Sequence, residues 1–187
     1  AVVDYGIGNL HSAHKSFVRL GADARLTADP TEIESADAVV LPGVGAFGAC
    51  MAALRERDLE QPVLDAVASG RPFFGICVGM QMLFEHSAED RAASGLGVLG
   101  GSIEWIPAGV KRPQMQWNQL DPSPTGADDP LFAGLFSDDA RPWFYFVHSL
   151  HAAPTDRSIV IGTCEYGATL DVAVRQDNVV AVQFHPE

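Results

Sequence analysis

The residues most able to do chemistry in this chain are Cys77 and the pair His185 and Glu187. Residues 75–79 read GICVG, the nucleophile-elbow pattern G-x-S-x-G with cysteine in place of serine. A buried apolar run (72–76) leads into a helical pattern (78–86) at this point. Glycines at 75 and 79 allow a sharp turn from strand to helix, so Cys77 is expected at the carboxyl edge of a strand, where doubly wound sheets put their sites. A helix N-terminus favours the thiolate form of such a cysteine. A structural cysteine between two packing glycines would carry the same local signature, so Cys77 alone decides nothing.

A nucleophilic thiol needs a base to take its proton, and the base needs a partner to fix its tautomer. The HPE at 185–187 supplies both, since residues two apart in an extended segment face the same way. Cys77, His185 and Glu187 therefore form a candidate triad in chain order Cys, His, Glu. Acyl transfer also needs N–H donors aimed at the developing oxyanion. The first expected donor is the backbone of Val78, directly after the nucleophile. The second belongs to the glycine-rich PGVG at 42–45, where Gly43, Val44 and Gly45 are the candidates. The same stretch, GVGAFG at 43–48, formally matches the dinucleotide fingerprint G-x-G-x-x-G. It follows the third strand pattern and not the first, and the acidic residue about 20 positions on, Asp65, lies inside a helix pattern, so a nucleotide cofactor is not expected. His148 and His151 have H-x-x-H spacing, but on a strand they point apart and no third ligand is near, so no metal is expected. Cys50 and Cys164 read as small packing residues, Ser137, Asp138 and Asp139 as a solvated turn, and Trp117 as an interface candidate among polar neighbours.

These residues need a scaffold, and the order of apolar segments provides one. Strand patterns at 1–4, 24–28, 38–41 and 72–76 alternate with helical patterns at 9–20, 49–69 (with a break at Pro62) and 78–86. That order implies an α/β fold, doubly wound, with a mostly parallel central sheet and helices on both faces. Short strand patterns at 102–106, 143–147, 159–164, 169–175 and 179–184 predict an antiparallel extension in the C-terminal half. Residues 121–130 (DPSPTGADDP) read as a loop too short to divide domains, so residues 1–187 are expected to form a single domain. The 12 basic residues against 24 acidic ones give a net charge of −12, which argues against nucleic acid and anionic membranes as partners. Three cysteines without a C-x-x-C pair, no apolar run of about 18 residues and no basic leader point to a reduced, cytoplasmic protein. Both ends read as clipped: the chain opens inside a strand pattern without Met and stops on HPE.

The GICVGMQ at 75–81 together with HPE resembles the class I (triad) glutamine amidotransferases. DYGIGN at 4–9, PGVGAFG at 42–48, MQWN at 115–118 and YFVHS at 145–149 are similar, more narrowly, to the glutaminase subunits of imidazole glycerol phosphate synthases. The resemblance implies a flavodoxin-like scaffold that hydrolyses L-glutamine to glutamate and ammonia through a thioester on Cys77, without a cofactor. It implies that Gln81, Glu89 and the backbone of Ser149 and Leu150 hold the two ends of glutamine. It also implies a heterodimer with a (β/α)8-barrel cyclase subunit, which receives the ammonia and makes imidazole glycerol phosphate and aminoimidazole carboxamide ribonucleotide in histidine biosynthesis. Asn9, Trp117, Asn118, Tyr145 and His148 are then expected toward that partner, and the PGVG strand is expected to gate the glutaminase until the partner is occupied. Gln116 stands where relatives usually carry glycine. The rival readings are a triad glutaminase serving another synthase, which PGVGAFG and YFVHS oppose, and a non-catalytic regulatory module, which an intact triad opposes.

Overall fold

Strands and helices alternate through the first half of the chain because short β-branched runs there are separated by helical stretches. In order these are β1 (Val2–Val3), α1 (Leu10–Arg19), β2 (Leu26–Thr27), α2 (Pro30–Ser35), β3 (Val39–Gly43), α3 (Phe47–Glu56), α4 (Glu60–Ala68) and β4 (Phe73–Cys77). Helix α5 (Val78–Met82) leaves β4 with no connecting residue. Among the described residues the strands that follow are β5 (Phe84–Ser87), β6 (Asp90–Ser94), β7 (Leu99–Trp105), β8 (Gln114–Gln119), β9 (Asp121–Pro122), β10 (Trp143–His148), β11 (Leu150–Pro154), β12 (Val160–Glu165), β13 (Thr169–Gln176) and β14 (Val179–Val182). The computed structural model describes residues 1–136 and 141–187, so the expected turn at Ser137, Asp138 and Asp139 lies outside the described residues.

The central sheet runs β2-β1-β3-β4-β14-β13-β11-β7-β5-β6, with β12 and β9 branching from β13. Its first half is parallel: β1 pairs with β2 and β3, β3 with β4, and β4 with β14. From β13 onward the ladder is antiparallel apart from the β5–β7 pair. This is the α/β sheet with an antiparallel extension that the segment order predicts. Alternation along β4 puts helices on both faces. Phe74 and Ile76 share a groove with Ala13 and Phe17 of α1, while Gly75 faces Leu83 just beyond α5. Strands β8 and β10 pair with each other as a separate two-stranded sheet. Burial divides into a large core under α3, α4 and α5 and a smaller one around Phe146, Val172 and Phe184. Cys50 packs in the first and Cys164 in the second.

Several boundaries differ from the sequence expectation. The helix expected over 78–86 stops at Met82 and becomes strand β5. The cause is competition for its last carbonyls: Met82 O and Leu83 O accept from Leu96 N–H (2.8 Å) and Leu99 N–H (2.9 Å). The helix expected over 49–69 is two helices, parted at Asp58, whose φ of 55° is left-handed. Pro62 does not break it, because it falls in the first turn of α4, where a missing N–H costs nothing. Helix α2 was not expected, although Asp29 caps it through Thr31 N–H at 2.8 Å and Pro30 opens it. Strands β5, β6, β8 and β11 were not expected either. The loop expected at 121–130 holds the short β9 and leads into a 3-10 turn at Pro130–Phe132, which Arg175 ties to β13 through a two-pronged ion pair with Asp129 (2.6 and 2.7 Å).

Candidate active site

Cys77 ends β4 and opens α5 with φ 55° and ψ −115°, a conformation that non-glycine residues rarely adopt. The surroundings hold it there. Gly43 pairs with Cys77 across the β3–β4 ladder. A Cβ on Gly43 would sit 2.7 Å from Gly79 N and 2.8 Å from the Tyr5 hydroxyl, and a Cβ on Gly79 would overlap the Leu41 carbonyl oxygen. The end of β3 thus lies backbone to backbone on the first turn of α5, and this contact requires glycine at both positions.

Beyond β3 the chain passes over the nucleophile. The Tyr5 hydroxyl donates to Pro42 O at 2.7 Å, and the Cys50 thiol donates to Val44 O at 3.2 Å, so both carbonyls are anchored. Gly45 takes φ 86°, with nothing within 4 Å of the position a Cβ would occupy. Phe47 N–H, at the start of α3, donates to Glu89 Oε2 at 2.7 Å. Val44 and Gly45 line the pocket with Val78, while Gly43 sits behind its wall.

His185 and Glu187 lie beyond β14, the strand adjacent to β4. His185 Nδ1 is 3.1 Å from Glu187 Oε1, which leaves Nε2 for Cys77. The hydrogen bond to Cys77, and after it the one to Glu187, raise the imidazole pKa to about 10. Burial opposes the charge on Glu187, but His185 and Asn9 more than offset it and hold the carboxyl below its ordinary range. Asn9 Nδ2 donates to the same Oε1 at 3.1 Å, and the buried Oε2 has no partner among the described residues.

Cys77 and His185 open on a cavity of about 310 Å³, which is also lined by Gln81, Glu89, His148, Ser149 and Leu150. Gln81 is buried and its Nε2 donates to Gln183 Oε1 at 2.8 Å. The carbonyls of Ser149 and Leu150 already accept from Ile106 N–H (2.9 Å) and from His148 Nδ1 (2.7 Å). A profile of the family "Glutamine amidotransferase class-I" matches residues 1–187, the whole chain. The chain belongs to the class I glutamine amidotransferases.

This amidotransferase is 47% identical over 188 residues to "Imidazole glycerol phosphate synthase subunit HisH" of Rhodopirellula baltica, covering all of this chain and 88% of the relative. The protein of the same name from Salinibacter ruber is 46% identical over 193 residues, covering 100% of this chain and 86% of the relative. Among solved structures, a glutamine amidotransferase superposes with a TM-score of 0.76 at 24% identity, covering 99% and 89% of the two chains. A chain of PurLQS from Thermotoga maritima superposes at 0.75 and 20% identity, covering 99% and 85%. At those identities the structural likeness speaks for the fold alone.

The residues expected toward a partner divide on this amidotransferase. Trp117 is 63% exposed and meets half-buried Tyr145 edge to face at 5.8 Å, with Met115 and Trp143 exposed beside them on the β8–β10 sheet. Asn9 is exposed, yet its side chain is committed to Glu187. Asn118 turns to Glu165 O at 3.0 Å. His148 departs from the expectation: it is 5% exposed, lies between Leu150 O and Gln114 Oε1, and lines the pocket instead of the surface. The sequence reading missed Gln183, whose Nε2 is 3.6 Å from Cys77 Sγ. Its spacing of two from His185 was the available signal.

Proposed function

We propose that this chain is the glutaminase subunit of an imidazole glycerol phosphate synthase, with Cys77, His185 and Glu187 as its triad. The observation that carries the reading is the convergence of a strained cysteine and an imidazole facing it on one pocket, with a buried carboxylate behind that imidazole. In the proposed reaction His185 takes the thiol proton and the sulfur attacks the side-chain carboxamide carbon of glutamine. The tetrahedral oxyanion rests on the N–H of Val78 and on an N–H from the loop of Gly43, Val44 and Gly45. Collapse breaks the C–N bond as His185 protonates the departing ammonia. Water, deprotonated by His185, then cleaves the thioester to glutamate and restores the thiol.

Glu89 is the anionic group suited to the substrate's ammonium, with Gln81 beside it, and the N–H groups of Ser149 and Leu150 suit its carboxylate. The exposed Trp117, Met115 and Trp143 give the cyclase subunit an aromatic surface of the kind interfaces favour. A dedicated partner also fits the product, since ammonia must stay neutral and away from water to act as a nucleophile. Gly45 can adopt either sign of φ, which supports gating by a peptide turn in this loop.

The test is ammonia release from glutamine by the chain alone and with the cyclase subunit carrying its ligand. Stimulation by the ligand-bound partner, abolished in Cys77→Ala, is the expected result. Equal rates with and without the partner would sink the gating, and release that survives Cys77→Ala would sink the triad.

A further inference from the structure

Gln183 is fully buried (0% exposed), and the reaction scheme above gives it no part. It follows β14, whose register sets Val182 opposite Ile76, so Gln183 comes level with Cys77. Through the bend at 183–184 both its side chain and that of His185 reach Cys77. Its Nε2 lies 3.6 Å from Cys77 Sγ, and its Oε1 accepts from Gln81 Nε2 at 2.8 Å. A carboxamide this deeply buried is costly unless its donor and acceptor are both engaged. Here the acceptor meets a pocket residue and the donor meets the reacting sulfur.

We infer that Gln183 is a second polar partner of the nucleophile, its side-chain N–H stabilising negative charge on the Cys77 sulfur. The direction of the amide is what matters. Reversed, it would set its oxygen against the sulfur and oppose that charge. As Gln81 is oriented, its N–H takes the Gln183 oxygen and leaves the Gln183 N–H for the sulfur. Charge develops on this sulfur twice, before attack on the carboxamide and again when the sulfur leaves the thioester. His185 exchanges protons at both stages, whereas the Gln183 donor stays in place throughout. Gln81 thereby links the substrate pocket to the nucleophile through one continuous hydrogen-bonded pair of amides.

This rests on Cys77 being the nucleophile, so Cys77→Ala is the control, and ammonia release surviving it removes that reading whatever Gln183 does. With the control passed, wild type, Gln183→Met and Gln183→Glu are compared in complex with the cyclase subunit. Cys77 alkylation by iodoacetamide is followed against pH by mass spectrometry, alongside kcat and KM for glutamine. Gln183→Met is expected to slow alkylation at neutral pH by at least about tenfold, the scale of a hydrogen bond to a charged group, and to regain the wild-type rate at alkaline pH. Its kcat should fall more than its KM rises. Gln183→Glu keeps an acceptor for Gln81 but opposes charge on sulfur, so it should slow alkylation further. Slowing by the same factor at every pH is the mark of a packing role and overturns the inference, as does a wild-type profile in both variants. If Gln183→Met fails to fold, judged by loss of cyclase binding, Gln183→Glu decides by the same criteria.

Discussion

The backbone N–H of His185 donates to the carbonyl of Tyr145 at 3.0 Å, an isolated antiparallel bridge between the end of the chain and β10. Tyr145 also presents its ring to Trp117 on the exposed face of the β8–β10 sheet. The His185 imidazole and the aromatic surface are therefore linked through one backbone hydrogen bond. Trp117→Ala is expected to weaken binding of the cyclase subunit by about 2 kcal/mol or more, roughly thirtyfold in Kd, as for a central aromatic anchor. Titration calorimetry measures it, and an unchanged Kd would remove Trp117 from the interface. The thermal midpoint of the isolated chain should hardly move, because the indole is mostly exposed.

In the proposed triad Glu187 orients His185 and sustains its charge, so Glu187→Gln should lower kcat by roughly a hundred- to ten-thousandfold, the range set by other triad carboxylates. With its pKa raised to about 10, the imidazolium persists above the ordinary imidazole range and is lost as pH rises through about 10. Removing the carboxylate takes away one support of that raised value, so the alkaline limb of kcat/KM should move to lower pH in the variant. Asn9→Ala, which removes only the hydrogen bond to Glu187, should cost about tenfold in kcat. A pH–rate profile of the three proteins distinguishes these effects, and an unmoved limb in Glu187→Gln contradicts the assignment.

Two glycines should respond differently to alanine. Gly79→Ala drives a methyl group into the Leu41 carbonyl and should destabilise the fold by about 3 kcal/mol or more, read as a lower denaturation midpoint. Gly45→Ala meets no neighbour and should cost only about 1 kcal/mol, from its left-handed φ. Its effect should appear in glutaminase turnover, because a residue that resists left-handed φ biases the loop over the nucleophile. Equal loss of stability in the two variants would contradict the packing described.

His148 should make the fold sensitive to mild acid. Burial is the main cause of its depressed pKa, about 4 against an ordinary 6.5, with hydrogen bonding to Leu150 O acting the other way. The unfolded chain therefore binds a proton that the folded chain refuses. The corresponding stability is present above about 6.5 and is lost as pH falls toward about 4, at most ~3 kcal/mol. Chemical denaturation between those limits should show a shallower pH slope in His148→Gln than in wild type. Parallel slopes would mean that His148 takes up its proton while folded.

What could be read from the chain was what depends on near neighbours. GICVG and HPE each carry their geometry in spacing, so Cys77, His185 and Glu187 were visible without a structure. Gln183 was not, because its meaning depends on the register of β14 against β4. Strand β5 was hidden for the same reason: residues 83–87 continue a helical pattern until the chain at 95–99 takes the carbonyls of Met82 and Leu83. His148 was misplaced because the sequence gives its strand but not which face of the β8–β10 pair is covered.

Gln183 follows Cys77 by 106 positions, and the strand just before it, β14, enters the sheet beside β4, not at an edge. During synthesis the thiol emerges long before the base it depends on. A nascent or proteolytically shortened chain that ends before β14 has Cys77 without His185, and a sheet with an open gap at its centre. On the proposed triad, completion of the fold is thus a precondition for hydrolysis, one that comes before any control by the partner.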